Sequence, residues 1–404
     1  MDLYEKRRVA RAVFEAGVAA ADPFAAVDRA LSVHSIAENA SVIAVGKAAM
    51  RMAEAALIYV PSPAELVVVT NPENAGELDG AQVFASAHPV PDEIGLKASA
   101  AVEVALGRAA GEVLVLVSGG GSALLPAPAN GLSLQDKIAV NELLLGSGAD
   151  IVEMNLVRQR LSRLKGGGML RAAGQARVRA LILSDVIGDD LRAIASGPTV
   201  APLGSNSDAR AMLERFDIWN AVPQAVRDAL VKADTAEDLP EAQNDIVGSN
   251  TVSVMAMAEK ARGYSMPLHI HAPALVGDVE EAARRVAGCT DPGIHLFGGE
   301  TTVQLKGKGK GGRNQELALR VALHLEHDRA DWHYLQAGTD GRDGPTDAAG
   351  GIVDAEAMRT MRQKVDLEDL LADNDAYPAL KAGDALLMTG GTGTNVADLG
   401  VLIR

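Results

Sequence analysis

Four charged side chains stand where a phosphate or carboxylate ligand would need them. Lys47 directly follows the apolar run SVIAVG (41–46), at the point where a helix should start. A cation there opposes the helix dipole by a few tenths of a kcal/mol, a cost that a bound anion would offset. An exposed helix-start lysine is the plainer alternative. Asp185 ends the run LILSD, and Asp189 and Asp190 follow it. Carboxylates at the end of a strand can hold Mg2+ or accept a proton, although Asp189 or Asp190 would serve equally as a helix cap. Glu300 sits in FGGETTV, within a strand-like alternation that ordinarily disfavours Glu. Arg313 lies in GKGGRNQEL, where a glycine loop enters a helix, and its planar guanidinium suits bidentate contact with an anion. Asp340, Asp343 and Asp347 in TDGRDGPTD lack the alternating spacing of a calcium loop, so loop structure and ligand contact remain equal readings for them.

Glycine accompanies these charges. The chain has 41 glycines in 404 residues, about a tenth of the sequence against a norm of roughly 7%. They gather in SGGGS, KGGG, GGE, GKGKGGR, GTDGRDG and TGGTG. Such loops let backbone N–H groups approach an anion closely, or they simply make tight turns. Several lie beside Lys or Arg, which favours the anion. No phosphate loop of the form GxxxxGK[ST] occurs, and no GxGxxG follows the first strand. Ser122 in GGGSA lacks the closing glycine of a nucleophile elbow. The eight histidines form no HxxxH or HExxH pair. His269 and His271 alternate along a strand-like run with no metal partner in sequence and are expected to be structural, while His88 in SAHPVPD carries only a weak signal. One cysteine, Cys289, excludes an internal disulfide and any CxxC site.

The elements that must hold these residues alternate between strand and helix. SVIAVG, ELVVVTN, EVLVLV and ARVRALILSDV predict buried strands, and helices capped by Ser133 and Asp150 are expected between them. That order predicts an α/β fold with a parallel sheet covered on both faces, whose ligands gather at the carboxyl ends of its strands. The acidic, Pro-containing stretch KADTAEDLPEAQND suggests a domain boundary near 235–245, giving domains 1–240 and 241–404. Residues MDLYEKRRVARAVFEAGVAAA read as an amphipathic helix of the mature protein, since Glu15 interrupts the apolar stretch that a signal peptide needs. Lys+Arg 38 against Asp+Glu 53 gives a net charge of −15, which argues against nucleic acid or an anionic membrane as partner. Aromatics at 3% argue against a base-stacking platform. No apolar run approaches the roughly 20 residues of a membrane span, and a cytoplasmic location is expected.

The strings AVGKAA, VSGGGSALL, NLVRQRLSRLKGGG, LSDVIGDDLRAIASGPT, GGETTV, GKGGRNQELAL, GTDGRDGPTDAAG and TGGTGTNVADL, in this order, resemble the glycerate 2-kinase family, also called the MOFRL or type II glycerate kinase family. Some of its members carry a hydroxypyruvate reductase label. The resemblance implies phosphoryl transfer from ATP to D-glycerate giving 2-phospho-D-glycerate, with Mg2+ or a similar divalent ion. It also implies a Rossmann-like N-terminal domain, a smaller C-terminal α/β domain and an active site in the cleft between them. By motif match it makes Lys47, Asp185, Glu300 and Arg313 catalytic, with Asp185 either a metal ligand or the group that orients or deprotonates the C2 hydroxyl, and Glu300 either sharing the metal or steering Arg313. It makes Ser118, Gly119, Gly120, Gly121, Ser122, Asn155, Arg158, Lys165, Asn314 and Asp340 contacts to substrate or nucleotide. The chain departs from the family at TNPENAGEL (70–78), which puts contacts near 70–90 in question, and at Gly391, where Pro is common. A monomer or homodimer is expected. The rival activity, an NAD(P)H-dependent hydroxypyruvate reductase, would need the dinucleotide loop that the sequence lacks.

Overall fold

Short runs of Val, Ile and Leu bounded by Gly, Pro or Ser build the first sheet. Its strands are β1 (Ser41–Val45), β2 (Leu66–Thr70), β3 (Gln82–Ala85), β4 (Glu112–Val117), β5 (Arg177–Leu183) and β6 (Ala242–Gly248). β1 and β2 are buried along their whole length, as strands covered on both faces must be. The order is β3-β2-β1-β4-β5-β6, and the pairs β1–β2, β1–β4, β2–β3 and β4–β5 are parallel. This is the doubly wound Rossmann order, which reverses direction between β1 and β4 and opens a crevice at their carboxyl ends. The Lys47 and SGGGS segments leave from those two ends. The computed structural model describes residues 2–233 and 238–404, so residues 234–237 of the expected linker lie outside the described residues. Ser133 and Asp150 cap helices Leu134–Gly146 and Ile151–Arg160 with reciprocal capping boxes, as the sequence predicts.

The second sheet is mixed. Its strands are β7 (Leu268–Ile270), β8 (Leu275–Asp278), β9 (Ile294–Thr302), β10 (His333–Gly338), β11 (Gly350–Asp354), β12 (Leu386–Leu387) and β13 (Asp398–Ile403). They lie in the order β12-β11-β10-β13-β9-β7, with β8 also on β9. The central pairs are antiparallel, while β7 and β8 run parallel to β9. One face carries Phe297 and Tyr334 against helices Val279–Ala287 and Arg313–His324. The other carries Leu296, Leu335 and Leu399 against Val9, Val13 and Phe14 of helix Leu3–Ala20 and Met257 of helix Asn250–Arg262. Full burial of each such side chain contributes about 1.5–3 kcal/mol.

The chain therefore divides into one unit of Pro23–Val247 and another of Gly248–Arg404 plus the N-terminal residues up to Asp22. The boundary read from composition near residue 240 leaves the first helix with the first half, whereas compactness groups it with the second. Its apolar stripe is buried by strands and a helix that appear only after residue 248. No helix among the described residues is long and apolar enough to cross a membrane.

Candidate active site

In the Pro23–Val247 unit, the turns after β1 and β4 are stitched together. Lys47 N–H donates to Gly119 O at 2.9 Å and Ser118 N–H to Val45 O at 2.9 Å. Ala48 N–H donates to Ser118 Oγ at 3.0 Å. Gly46 has φ of +128°, and a Cβ there would overlap Ser118, so only glycine permits the two turns to meet. The stitching fixes two glycines against the functional groups. A Cβ at Gly119 would overlap the Asp185 carboxylate, and one at Gly120 would stand 3.2 Å from Lys47 Cγ and 3.4 Å from His88 Nε2. Lys47, His88 and Asp185 thus surround one glycine turn.

Burial raises the Asp185 pKa, its own backbone and Lys47 pulling the other way. Among the described residues no other side chain hydrogen-bonds this carboxylate. Glu73 joins from the turn after β2. Its own N–H and the Asn71 amide hold its carboxyl below the usual range, and Lys47 and His88 add to that. Burial and Lys47 push His88 down, so the ring is neutral near pH 7.

A polar chain backs this turn. Ser122 Oγ and Ser196 Oγ are 2.7 Å apart, and Ser196 Oγ donates to Asn155 Oδ1 at 3.0 Å. Ala195 and Ser196 have φ of +48° and +60°, an unfavourable conformation for residues with a Cβ, which costs on the order of 1–3 kcal/mol each. Deeper lies a basic layer. Lys165 Nζ donates to Leu125 O at 2.8 Å, and desolvation followed by the Arg158 charge lowers its pKa to about 7. Arg158 grips Asn141 Oδ1 at 2.6 and 3.0 Å.

The other unit holds a second polar cluster at the start of helix Arg313–His324. Arg313 clasps Asp398 through Nε at 2.6 Å and Nη2 at 3.0 Å, and its Nη1 lies 2.8 Å from Glu300. Burial works against the guanidinium charge, but Asp398 and Glu300 outweigh it and hold Arg313 above its ordinary value. Three of five N–H donors are committed, which leaves one on Nη1 and one on Nη2. Asn314 Nδ2 donates to Asp398 Oδ1 at 2.9 Å, and Asn314 Oδ1 accepts from Gln336, which in turn accepts from Tyr334. Asp343 caps the helix by accepting the N–H groups of Asn314 at 3.1 Å and Gln315 at 2.8 Å, and burial raises its pKa to about 6. A Cβ at Gly338 would stand 3.1 Å from Asp340 Oδ1 and 3.5 Å from Asn314 Nδ2, so Asp340 borders this cluster. The turn of Asp340 is zipped to the TGGTG loop through Thr392 N–H to Asp340 O at 3.3 Å.

Comparison with known proteins shows which family the chain belongs to. The MOFRL family matches residues 293–398, and a domain of unknown function, DUF4147, matches residues 9–231. The glycerate 2-kinase of Pyrococcus horikoshii is 39% identical over 96% of this chain and 94% of its own length. The D-glycerate 2-kinase of Thermotoga maritima is 39% identical over 89% of each. The chain belongs to the glycerate 2-kinase family. The crystal structure of glycerate kinase from Thermotoga maritima superposes with a TM-score of 0.91 at 37% identity, covering 99% of both chains.

Within this glycerate 2-kinase fold the expected residues separate by role. Lys47 and Asp185 lie beside the Gly119–Gly120 turn, and Arg313, Glu300, Asn314 and Asp340 gather at the start of helix Arg313–His324. Ser118 supports backbone, Gly121 packs against Ala195, and Ser122 joins Asn155 through Ser196. Two glycine clusters expected to favour anions are occupied by protein. The N–H groups of Gly166 and Gly167 in KGGG donate to Ser196 O and Gly197 O. Those of Lys306, just before the GKGKGGR segment, and of Gly307, Lys308 and Lys310 within it donate to Asp373, Asn374 and Asp375 side chains. Asp347 accepts from Tyr377 at 2.8 Å and is structural. Asp398, the main partner of Arg313, escaped the sequence reading because VADLGVLIR presents it as an ordinary first strand residue. Glu73 escaped because its loop departs from the family pattern, and its signal was the departure itself.

Proposed function

We propose that this chain transfers the terminal phosphoryl group of ATP to the C2 hydroxyl of D-glycerate, with Lys47 and Asp185 as catalytic residues. The observation that carries this reading is the juxtaposition of Lys47 and a desolvated Asp185 around a glycine turn at the reversal point of a Rossmann sheet. Phosphoryl transfer is governed by positioning and charge neutralisation. Lys47 supplies a cation to the moving phosphoryl group, and the N–H groups around Gly119–Gly121 supply dipoles. The raised pKa of Asp185 suits a group that orients, and accepts the proton of, an alcohol. Arg313 offers its two remaining donors to an anionic oxygen, and Asn314 and Asp340 border the same ground. Glu300 acts by steering Arg313 rather than as a free metal ligand.

The donor set also fits a divalent ion. Mg2+ ordinarily takes one or two carboxylates together with substrate phosphates and water, and Asp185 is the open carboxylate beside Lys47. A bound Mg2+ would neutralise charge on the phosphates. An Asp185→Asn variant separates the two roles of Asp185. Loss of turnover with an unchanged Mg2+ requirement marks a proton acceptor, and a raised Mg2+ requirement marks a ligand. The activity itself is read by coupling ADP formation to D-glycerate and asking whether enolase accepts the product without a mutase. Absence of ATP consumption, or NADH oxidation with hydroxypyruvate instead, would overturn the reading.

A further inference from the structure

A separate cluster of donor atoms sits on the β7 edge of the second sheet. His271 Nε2, Cys289 Sγ and His295 Nδ1 all lie within 4.8 Å of one another. His271 Nε2 is 2.9 Å from His295 Nδ1, and Cys289 Sγ is 3.7 Å from His271 Nε2. The three come from different pieces of chain: the segment after β7, the turn after helix Val279–Ala287, and the first half of β9.

The rings are held in place before any ion arrives. His295 is buried, and its Nε2 lies 2.8 Å from Asp291 O. That carbonyl can only accept, so the proton sits on Nε2 and the Nδ1 lone pair faces His271. A hydrogen bond from the far ring nitrogen is the usual orienting device for a metal-bound histidine. His269 stacks on His295 at 4.4 Å, and His271 stacks on Phe297 at 4.5 Å. The neighbouring cations are engaged elsewhere, Arg404 with Asp328 at 2.5 Å and Arg285 with Pro273 O at 2.8 Å.

We propose that His271, Cys289 and His295 form a Zn2+-binding site, with a fourth position open to water. Tetrahedral Zn2+ with Zn–N near 2.0–2.1 Å and Zn–S near 2.3 Å sets its nitrogens about 3.3 Å apart and nitrogen from sulfur about 3.6 Å. The His271–His295 and Cys289–His271 separations of 2.9 and 3.7 Å lie near these values, and Cys289 Sγ is within 4.8 Å of His295 Nδ1. Without metal, His271 Nε2–H donates to His295 Nδ1. On binding, the His271 proton moves to Nδ1, the thiol proton leaves to solvent, and three lone pairs meet the ion. The site is distinct from the Arg313 cluster: Glu300 lies five residues further along β9, roughly 16 Å at about 3.3 Å per residue. An ion here would tie the short edge strand β7 and the turn at Cys289 to β9.

Cys289 is the only cysteine of the chain, so any thiolate-to-cobalt charge-transfer absorption can arise nowhere else. The metal-free full-length protein is titrated with Co2+ and then with Zn2+. The proposal expects one equivalent of Co2+ to give the thiolate band and Zn2+ to displace it with a rise in Tm. Cys289→Ser should abolish the band. His271→Ala, a change at a half-exposed position, should weaken Co2+ binding at least about tenfold, and His324→Ala should leave it unchanged. No thiolate band at one equivalent, or a band of equal affinity in His271→Ala, overturns it.

Discussion

The segments SGGGS (118–122) and GKGKGGR (307–313) have nearly the same glycine content and opposite uses. In the first, stitching between the turns after β1 and β4 leaves the glycine turn facing Lys47, His88 and Asp185. In the second, Asp373, Asn374 and Asp375 take the loop's own N–H groups, and Lys310 lies 4.5 Å from the centre of the Tyr377 ring. The first loop presents its glycines to functional side chains, and the second is an internal strap that delivers Arg313 to Asp398. Composition does not distinguish the two, because the difference lies in which partner reaches the N–H groups first.

This contrast can be broken at several points. Lys47→Ala should lower kcat by on the order of 10² to 10³ with Tm nearly unchanged, as loss of one preorganised charge partner does. A near-normal kcat would remove the first loop from the chemistry. Gly119→Ala pushes the Asp185 carboxylate aside, and a displacement of that size costs about 10²-fold in kcat. The change should leave urea unfolding close to wild type. The strap should respond in stability instead. Asp343, packed against Gly312, titrates at about 6 in the folded protein and near 3.9 unfolded. The folded state therefore binds more protons between those values. Its contribution to stability declines as pH rises from about 4 to about 6, by about 3 kcal/mol, then levels off. Asp343→Asn should flatten that segment of a pH–stability curve, although losing one acceptor for the Gln315 N–H lowers the curve as a whole. Gly309→Ala meets the backbone of Asp373 and Asp375 and should cost about 1–3 kcal/mol in urea unfolding, while kcat per folded molecule stays within twofold. A large fall in kcat there would make the strap part of the site.

Much of the first sheet was legible because its strands are continuous apolar runs ending in Gly or Ser, a local signal. Lys47 and Asp185 were legible for the same reason, since both stand immediately beyond such runs. Asp398, the acidic clasp at 373–375 and the His271–Cys289–His295 group were not. Each depends on pairing between segments far apart in sequence, and nothing in a run of residues states which distant strand will lie beside it. Lys165 shows the same limit in reverse. Its KGGG setting suggests an anion, and what the sequence does not state is that one of its N–H donors goes to the Leu125 carbonyl.

Helix Leu3–Ala20 is made before Pro23–Val247 but finds its seat only after it. Its apolar stripe of Val9, Val13 and Phe14 docks against Met257 and Leu399, and the whole of Pro23–Val247 is synthesised in between. At about 5–20 residues per second that wait lasts on the order of tens of seconds. A lone helix of this length is marginal in water. A nascent chain arrested before β13 should therefore show the helix open to protease while Pro23–Val247 already resists digestion, and synthesis of β13 supplies the surface that shelters it.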